Sequence, residues 1–406
     1  MRARGRVLVA VSALLALAAS ACSSGGDDEG GVGSSEDPST TSAAAGESVP
    51  CGYPCPEMDG ADPESLVDAV YPEPDWQQVT PDEAGVRPNV LRIMADVAGA
   101  GDSDCLVVTR NGQLVGEWYL VGRDATTPGD LFSATKSLTS ALVGIASDRG
   151  ELDIGEPASK YITEWQGTDS EDVTIRNLLS NDSGREWNLA TDYVSMVKNA
   201  ADKTQFSVAL GQQFDPGEVW EYNNSAVQTL EAVLQEATGT DVGDYAQKYL
   251  FEPIGMAAEY GRDSAGNALT YSGARSTCRD LAKFGYLWMR DGQWNGEQVV
   301  SADYVEASVT PSTSLNHAYG YLFWLNRPGP WKEPTTVEGQ REGEGPRFAD
   351  VPTDVFFASG SGGQVVVAYP STGVVFSRMS PDPDQPAIDV VTELMELGAE
   401  LVADGN

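Results

Sequence analysis

The order of periodic segments along the chain constrains its fold more than any other feature. Two apolar or alternating runs, 105–110 and 113–120, are joined by Asn111 and Gly112, a strong signal for a β-hairpin. A mostly helical middle follows, from about 161 to 273, and strand-like runs return after it. We therefore expect an α/β (α+β) fold, in which an antiparallel sheet is flanked by helices and an all-helical subdomain is inserted at 161–273.

Periodicity and turn signals place the individual elements. The expected helices cover 131–149, 173–179, 226–237, 245–250, 278–290 and 388–402. The expected strands after the hairpin cover 319–325, 355–358, 364–369 and 374–378.

The first 21 residues have the features of an export signal. Basic residues precede an apolar run, Val7–Ala19, which at 13 residues is shorter than the roughly 20 needed to span a bilayer. The stretch from Ala19 to Cys22 resembles a bacterial lipobox, although Ala19 replaces the usual leucine. An ordinary signal and a lipobox would both be cut after Ala21, and they differ in whether Cys22 is acylated. We expect acylation, which would anchor the protein by lipid to the outer face of the bacterial cytoplasmic membrane.

Composition then divides the rest of the chain. Residues 22–60 begin with the lipidated cysteine and continue as a flexible acidic tether with almost nothing to bury. Residues 61–406 are expected to form the folded domain. The net charge of −36 makes nucleic acid an implausible partner, because phosphate binding needs a basic surface. A single histidine, His317, excludes a histidine-rich zinc centre, and we expect neither a metal nor a cofactor.

Four cysteines remain after Cys22, an even number that fits an oxidising compartment. A pair between Cys51 and Cys55 is locally feasible and would leave Cys105 to pair with Cys278. Sequence alone permits three pairings and does not choose among them.

Ser133 and Lys136 form the first chemical motif, Ser-x-x-Lys. On a helix, residues three apart lie on one face, so the amine can reach the hydroxyl. A serine hydroxyl needs an adjacent base to become a nucleophile, and a lysine can be that base if burial lowers its pKa. The motif is not specific, because Ser195 and Lys198 match it as well.

Two further motifs give this pair a context. Tyr222 and Asn224 form the one Tyr-x-Asn of the chain: the phenol can shuttle a proton, and the amide can hold a substrate carbonyl or the lysine. Small residues from Ser359 to Gly363 precede a strand, where they would let a substrate approach backbone N–H groups. Taken singly, each motif also fits a structural role, as a core tyrosine before a helix or a glycine bulge.

Together these motifs resemble the serine β-lactamase/penicillin-binding-protein superfamily over about residues 75–400. Details such as Gly362-Gly363-Gln364 are closest to class C-related hydrolases of the esterase and 6-aminohexanoate-dimer hydrolase branch. The resemblance implies a β-lactamase/transpeptidase-like fold and favours Ser133, which lies 89 residues before Tyr222, over Ser195, which lies 27 before it.

The resemblance also implies the role of each site residue. The implied nucleophile, base and general acid/base are Ser133, Lys136 and Tyr222. The backbone N–H groups of Ser133 and Ser361 would form the oxyanion hole. The implied substrate-binding residues are Asn224, Gly360 and Gly362.

One departure from the family pattern bears on the substrate. The Lys-Thr-Gly of β-lactamases is absent, and Ala358 stands where its lysine would be. We therefore expect a small ester or uncharged amide substrate rather than a classical β-lactam, processed through an acyl-enzyme. The alternative is a slow or inactive lipoprotein that binds or senses such compounds.

A serine–histidine enzyme built on His317 is disfavoured, since no Gly-x-Ser-x-Gly elbow exists. The segment 326–353 either rims the pocket or is a solvated loop.

Overall fold

The computed structural model describes residues 69–120, 122–381 and 387–402. The expected export signal, Cys22, the tether and the pair Cys51 and Cys55 lie outside these residues and stay predictions. Within the described residues, none of the helices combines the length and the apolar character that crossing a bilayer requires.

Short antiparallel strands alternate with helices along the described part of the chain. The strands are β1 (Cys105–Arg110), β2 (Gln113–Tyr119), β3 (Gly129–Asp130), β4 (Ala258–Tyr260), β5 (Ala274–Ser276), β6 (Gln293–Trp294), β7 (Glu297–Gln298), β8 (Trp324–Leu325), β9 (Pro330–Lys332), β10 (Glu342–Glu344), β11 (Phe356–Gly360), β12 (Gln364–Tyr369) and β13 (Val374–Met379). The α-helices are α1 (Pro88–Ala100), α2 (Thr135–Asp148), α3 (Ile175–Ser180), α4 (Lys203–Ala209), α5 (Asn224–Thr238), α6 (Val242–Ala246), α7 (Cys278–Met289), α8 (Ala302–Ser308) and α9 (Ile388–Glu400).

The main sheet has six strands in the order β2-β1-β13-β12-β11-β8, and every neighbouring pair is antiparallel. It joins the two ends of the folded chain, because β1 pairs with β13 from Cys105↔Met379 to Arg110↔Val374. The hairpin from β1 to β2 turns at Asn111 and Gly112, both with positive φ (49° and 79°), which is the turn expected from that dipeptide.

Helices cover both faces of this sheet. On one face α7 packs so closely that Gly285 lies against Val366 and Val375. On the other face, α9 receives a 2.6 Å hydrogen bond from the Tyr369 hydroxyl to the Met395 carbonyl. Positions 366 and 369 differ by an odd number, so their side chains point to opposite faces of β12. This arrangement buries β12 and β13 completely, as their apolar sequences suggest.

A second, three-stranded sheet in the order β3-β5-β4 leads into α2. The chain between α2 and β5 contains α3 to α6 and two π-helical segments, Ala190–Asn199 and Gln247–Phe251. Most of the expected inserted segment is therefore helical, with the three-residue β4 near its end. Antiparallel sheet, flanking helices and helical insertion together confirm the expected fold class.

The structure corrects the expectation of a strand over 319–325. Only Trp324 and Leu325 belong to a strand, because Gly320 to Leu322 form a tight turn in which Leu322 has φ of 60°. The turn is fixed by a 3.0 Å hydrogen bond from the Leu322 N–H to the Leu179 carbonyl. Helix α1 and the π-helical segment Ala190–Asn199 were not anticipated from the sequence.

A disulfide joins Cys105, at the start of β1, to Cys278, at the start of α7. Of the pairings that the sequence allowed, the structure therefore contains this one. Both cysteines are buried, and 173 residues separate them in sequence. A cross-link that closes so long a loop restricts the unfolded chain strongly.

We expect the double variant Cys105→Ala/Cys278→Ala to lose about 2–4 kcal/mol in the free energy of unfolding, because the unfolded chain regains loop entropy. Urea unfolding followed by circular dichroism measures this loss. Reduced wild type should unfold at the same urea concentration as the double variant. Equal stability of oxidised wild type and double variant would contradict the prediction.

Candidate active site

Ser133 lies in a single 3₁₀ turn, Phe132–Ala134, directly before α2. The preceding Phe132 has φ of 45°, a conformation that costs a bulky L-residue on the order of 1–3 kcal/mol. The strand side of this turn is anchored by a 2.9 Å hydrogen bond from the Leu131 N–H to the Ala274 carbonyl. The turn thus presents a half-buried serine hydroxyl at the head of a buried helix.

Lys136 lies one turn later, with its side chain buried and three acceptors around its amine. The Nζ atom is 3.0 Å from Ser133 Oγ, 2.7 Å from Asn224 Oδ1 and 2.8 Å from the Tyr271 carbonyl oxygen. These three acceptors match the three hydrogens of an ammonium group. Burial nevertheless lowers the pKa of Lys136 to about 7, so that a large fraction of the amine is neutral near neutral pH.

Asp192 contributes a negative charge that acts on this lysine, and sequence reasoning missed it. Its carboxylate is buried in the first π-helical segment and accepts from Asn224 Nδ2 at 2.8 Å and from Ser225 Oγ at 2.7 Å. The Ser225 N–H also donates to it at 2.8 Å. Asp192 therefore holds the start of α5 and orients the Asn224 amide, so that the amide oxygen faces Lys136. Its charge raises the pKa of Lys136 and partly offsets burial.

Tyr222 is brought to the pair by the cap of α5. The Asn223 side chain accepts from the Ala226 N–H, which fixes the helix start and leaves Tyr222 in the extended segment before it. The Tyr222 ring centroid lies 4.6 Å from Lys136 Nζ. Burial raises the pKa of the Tyr222 phenol, although a hydrogen bond with the Ser133 hydroxyl opposes the shift. Tyr222 is therefore a protonated phenol at neutral pH, in contact with both other groups.

An aromatic cluster holds the Tyr222 ring from the other side. Trp324 stacks on it at 5.8 Å between centroids, and the Arg347 guanidinium lies 5.1 Å from the Trp324 centroid. Arg347 pairs with Glu333 at 2.9 Å. Glu333 and Arg347 both belong to the segment 326–353, which contains the β9–β10 hairpin. This segment therefore contacts the aromatic cluster beside Tyr222 and is not merely solvated.

Strand β11 closes the site at Gly360. A Cβ atom at this position would collide with the Leu131 carbonyl and would lie 3.1 Å from the Ser133 backbone nitrogen. Only a glycine therefore lets the end of β11 pack against the turn that carries the nucleophile. Ser361 follows directly in the chain, and its N–H as an oxyanion donor stays a prediction.

Comparisons with known proteins show the family of this chain. A family model described as Beta-lactamase matches residues 89–394, about three quarters of the chain. The chain belongs to the Beta-lactamase family. The resemblance seen in the motifs is thereby confirmed at the level of a serine hydrolase family with the β-lactamase/transpeptidase fold.

Relatives in this family carry several hydrolase names. The 6-aminohexanoate-dimer hydrolase of Paenarthrobacter ureafaciens is 24% identical over 224 residues, which cover 50% of this chain and 56% of that protein. The chain spans about half the length of the curated relatives it matches. Among solved structures, a penicillin-binding protein homologue from Caulobacter crescentus has a TM-score of 0.56 at 16% identity, covering 77% of this chain and 98% of that one. A family VIII carboxylesterase also has a TM-score of 0.56 at 16% identity, covering 76% and 96%.

The structure brings together Ser133, Lys136, Tyr222, Asn224 and Gly360. Asn224 contacts the lysine, one of the two roles its amide allows, and its contact with substrate stays a prediction. The exact oxyanion donors and the role of Gly362 likewise stay predictions.

The competing motifs lie elsewhere in this Beta-lactamase family member. Ser195 and Lys198 fall in the first π-helical segment; Lys198 is exposed, and no hydrogen bond within the described residues joins the two side chains. The His317 ring approaches the Pro328 carbonyl at 2.8 Å, in a loop rather than beside Ser133. Within the described ranges, no group of three or more histidine, cysteine, aspartate or glutamate side chains is placed to hold a metal ion.

A cavity of about 250 Å³ lies next to the Tyr222 segment, and its lining includes none of the three expected catalytic residues. Glu221 and Asn223 line it, whereas Tyr222 and Asn224 contact Lys136, so the cavity and the lysine lie on opposite sides of one extended segment. Burial raises the pKa of the Glu221 carboxyl. Trp187 and the exposed Phe214 form apolar parts of the wall.

We expect Asp192→Asn to lower the pKa of Lys136 below the wild-type value of about 7, because the carboxylate that favours the ammonium form is lost. NMR of protein labelled with ¹³Cε-lysine measures this directly, and the chain has only seven lysines. Asp389→Asn, at an exposed position in the first turn of α9, removes the same charge as a control. An unchanged or raised pKa in Asp192→Asn would contradict the assignment.

Proposed function

We propose that this protein is a serine hydrolase that cleaves esters or amides through an acyl-enzyme on Ser133. The observation that carries the proposal is the 3.0 Å separation of Ser133 Oγ from the Nζ atom of a buried lysine. A serine in contact with an amine whose pKa is about 7 has the adjacent base that nucleophilic attack needs.

The acylation step uses the three side chains in turn. Ser133 Oγ bonds to the substrate carbonyl carbon while neutral Lys136 takes the hydroxyl proton. Backbone N–H groups of Ser133 and Ser361 hold the negative oxygen that forms. Tyr222 gives its proton to the leaving alcohol or amine as the scissile bond breaks, and it regains one from the Lys136 ammonium.

Deacylation repeats these steps with water as the nucleophile. Neutral Lys136 takes a proton from the water, and the water oxygen bonds to the acyl carbon. The ester bond to Ser133 then breaks, and the serine oxygen recovers a proton. Tyr222 stays a phenol throughout except during the relay, in keeping with the raised pKa that burial gives it.

The missing lysine of the Lys-Thr-Gly motif supports an uncharged substrate over an anionic one. Ala358, where β-lactamases have a lysine, is buried on β11, and no basic side chain takes that place in its strand. An anionic β-lactam or peptide carboxylate would therefore lack the cationic partner that this lysine provides. The names 6-aminohexanoate-dimer hydrolase and family VIII carboxylesterase among the similar proteins support cleavage of an amide or an ester.

We expect Ser133→Ala to abolish both fluorophosphonate labelling and hydrolysis of a nitrophenyl ester, because the nucleophilic oxygen is lost. Ser195→Ala removes the serine of the second Ser-x-x-Lys and should keep full activity. Labelling retained in Ser133→Ala would refute the assignment. Wild type that releases one equivalent of nitrophenol and then stops would instead favour a protein that is acylated but turns over slowly.

The pH dependence follows from the state of the lysine. Only the neutral amine accepts the Ser133 proton, so kcat/KM should rise with pH below about 7 and level off above it. A stopped-assay pH series with a nitrophenyl ester, corrected for spontaneous hydrolysis, measures this limb. In Asp192→Asn the limb should move to lower pH. If kcat/KM of the wild type already reached its plateau well below neutral pH, this would contradict the assignment of Lys136 as the base.

A further inference from the structure

The turn that follows Gly360, residues 361–363, lacks side chains that could stabilise its conformation. Ser361, Gly362 and Gly363 carry small or no side chains, and both glycines have left-handed backbone, with φ of 75° and 77°. Glycine loses more conformational freedom on folding than any other residue. An oxyanion hole works only if its donors stay within about 0.5 Å of their productive position. Something outside this turn must therefore fix it.

Arg378, on β13, supplies the external contacts. Its Nη1 donates to the carbonyls of Gly362 and Gly363 at 2.7 and 3.0 Å. A Cβ atom on Gly363 would collide with this same Nη1, so the turn and the guanidinium are packed directly together. The Ser380 hydroxyl adds a 2.6 Å hydrogen bond to the Gly362 carbonyl.

The other side of the guanidinium is tied to the connection between α1 and β1. Nε donates to Ser103 Oγ at 2.8 Å, and Nη2 donates to the Gly101 carbonyl at 2.8 Å. The planar group therefore bridges the glycine turn to a second segment at the end of the sheet. A lysine, with a single ammonium on a flexible stem, could not make this set of contacts.

A guanidinium in this position is costly to keep. Arg378 is fully buried, and the charges of Asp104 and Asp102 only partly offset the burial of its guanidinium. Burial lowers its pKa to about 10, so the group is still charged at neutral pH. Apolar residues often replace buried charges without loss of stability, so a buried arginine is weak evidence for a purely stabilising role. Its contacts point instead to the geometry of the turn.

We propose that Arg378 is a positioning residue for the oxyanion hole, which fixes the Gly362–Gly363 turn so that the Ser361 N–H faces the reacting carbonyl oxygen beside Ser133. This inference rests on the proposed function, because an oxyanion hole is needed only if Ser133 forms an acyl-enzyme. Arg378 itself touches no reacting atom.

The test compares Arg378→Ala with a matched control, Arg110→Ala. Arg110 also donates to backbone carbonyls, those of Thr372, Ala84 and Gly85, but it lies at the opposite end of β1. For hydrolysis of a nitrophenyl ester, Arg378→Ala should lower kcat about 100-fold, with KM changed less than about threefold, because loss of one oxyanion donor has an effect of this order. Arg110→Ala should keep kcat within about twofold, whatever its stability.

Rescue separates positioning from a general loss of structure. Guanidinium chloride, at about 20 mM and far below denaturing levels, should enter the space left in Arg378→Ala and recover at least about tenfold in kcat. Ethylammonium chloride at the same concentration should not. If Arg378→Ala does not fold, Arg378→Lys keeps the charge without the fork, and kcat should fall at least tenfold with KM almost unchanged. A kcat in the folded Arg378 variants equal to that of Arg110→Ala would overturn the proposal.

A second measurement does not depend on activity. Hydrogen exchange followed by mass spectrometry should show faster exchange in residues 360–364 of Arg378→Ala or Arg378→Lys than in wild type, and guanidinium should slow it again in the alanine variant. Unchanged exchange in this turn would overturn the positioning role. Faster exchange together with a wild type that is not labelled at Ser133 would mean that the proposed function has failed while the turn still depends on Arg378.

Discussion

The site depends on the buried amine of Lys136, which is partly protonated near neutral pH and keeps hydrogen-bond partners. Lys136 Nζ has three acceptors within 3.0 Å, from Ser133, Asn224 and Tyr271. Without them, burying the group would leave unsatisfied donors, at a cost of several kcal/mol. With a carboxylate in direct contact, the amine would stay in its ammonium form and could not accept a proton from serine. Asp192 acts through the Asn224 amide instead, so its charge is felt at a distance and the lysine stays near its titration point.

Each acceptor of this amine comes from a different part of the chain, which is why the fold must be complete before the site exists. Asn224 is placed by the cap of α5, and the Tyr271 carbonyl by the segment entering β5. The same segment is bound to α2 through a 2.9 Å hydrogen bond from the Ala274 N–H to Thr135 Oγ1. The helical insertion and the second sheet therefore position the lysine. The main sheet separately positions the end of β11 against the turn that contains Ser133.

The sequence predicted those parts of the site in which the residue types and their spacing along the chain together determine a contact. Ser133 and Lys136 are one helical turn apart, so their contact follows from helix geometry alone, and the expected helix at 226–237 places Tyr222 in the segment before its start. Asp192 gave no such signal, because it lies 30 residues before Tyr222 in a π-helical segment whose pairing with α5 is a tertiary event. Tyr271 contributes a carbonyl, which any residue has. Arg378 interrupts an apolar strand, but its partners are backbone oxygens that no side-chain pattern reveals.

Two features near the site, the backbone of Phe132 and the buried charge of Arg378, are energetically unfavourable by themselves. Phe132 is held in a conformation that bulky residues avoid, and Arg378 is charged and fully buried. Neither would persist without compensation, since each costs on the order of a few kcal/mol. The six-stranded sheet provides that compensation, because the glycine turn joins β11 to β12, and β12 and its neighbour β13 are buried along their whole length. Buried strands therefore meet at a turn rich in glycine. In the proposed mechanism, the backbone N–H groups of this turn stabilise the oxyanion without a charged side chain.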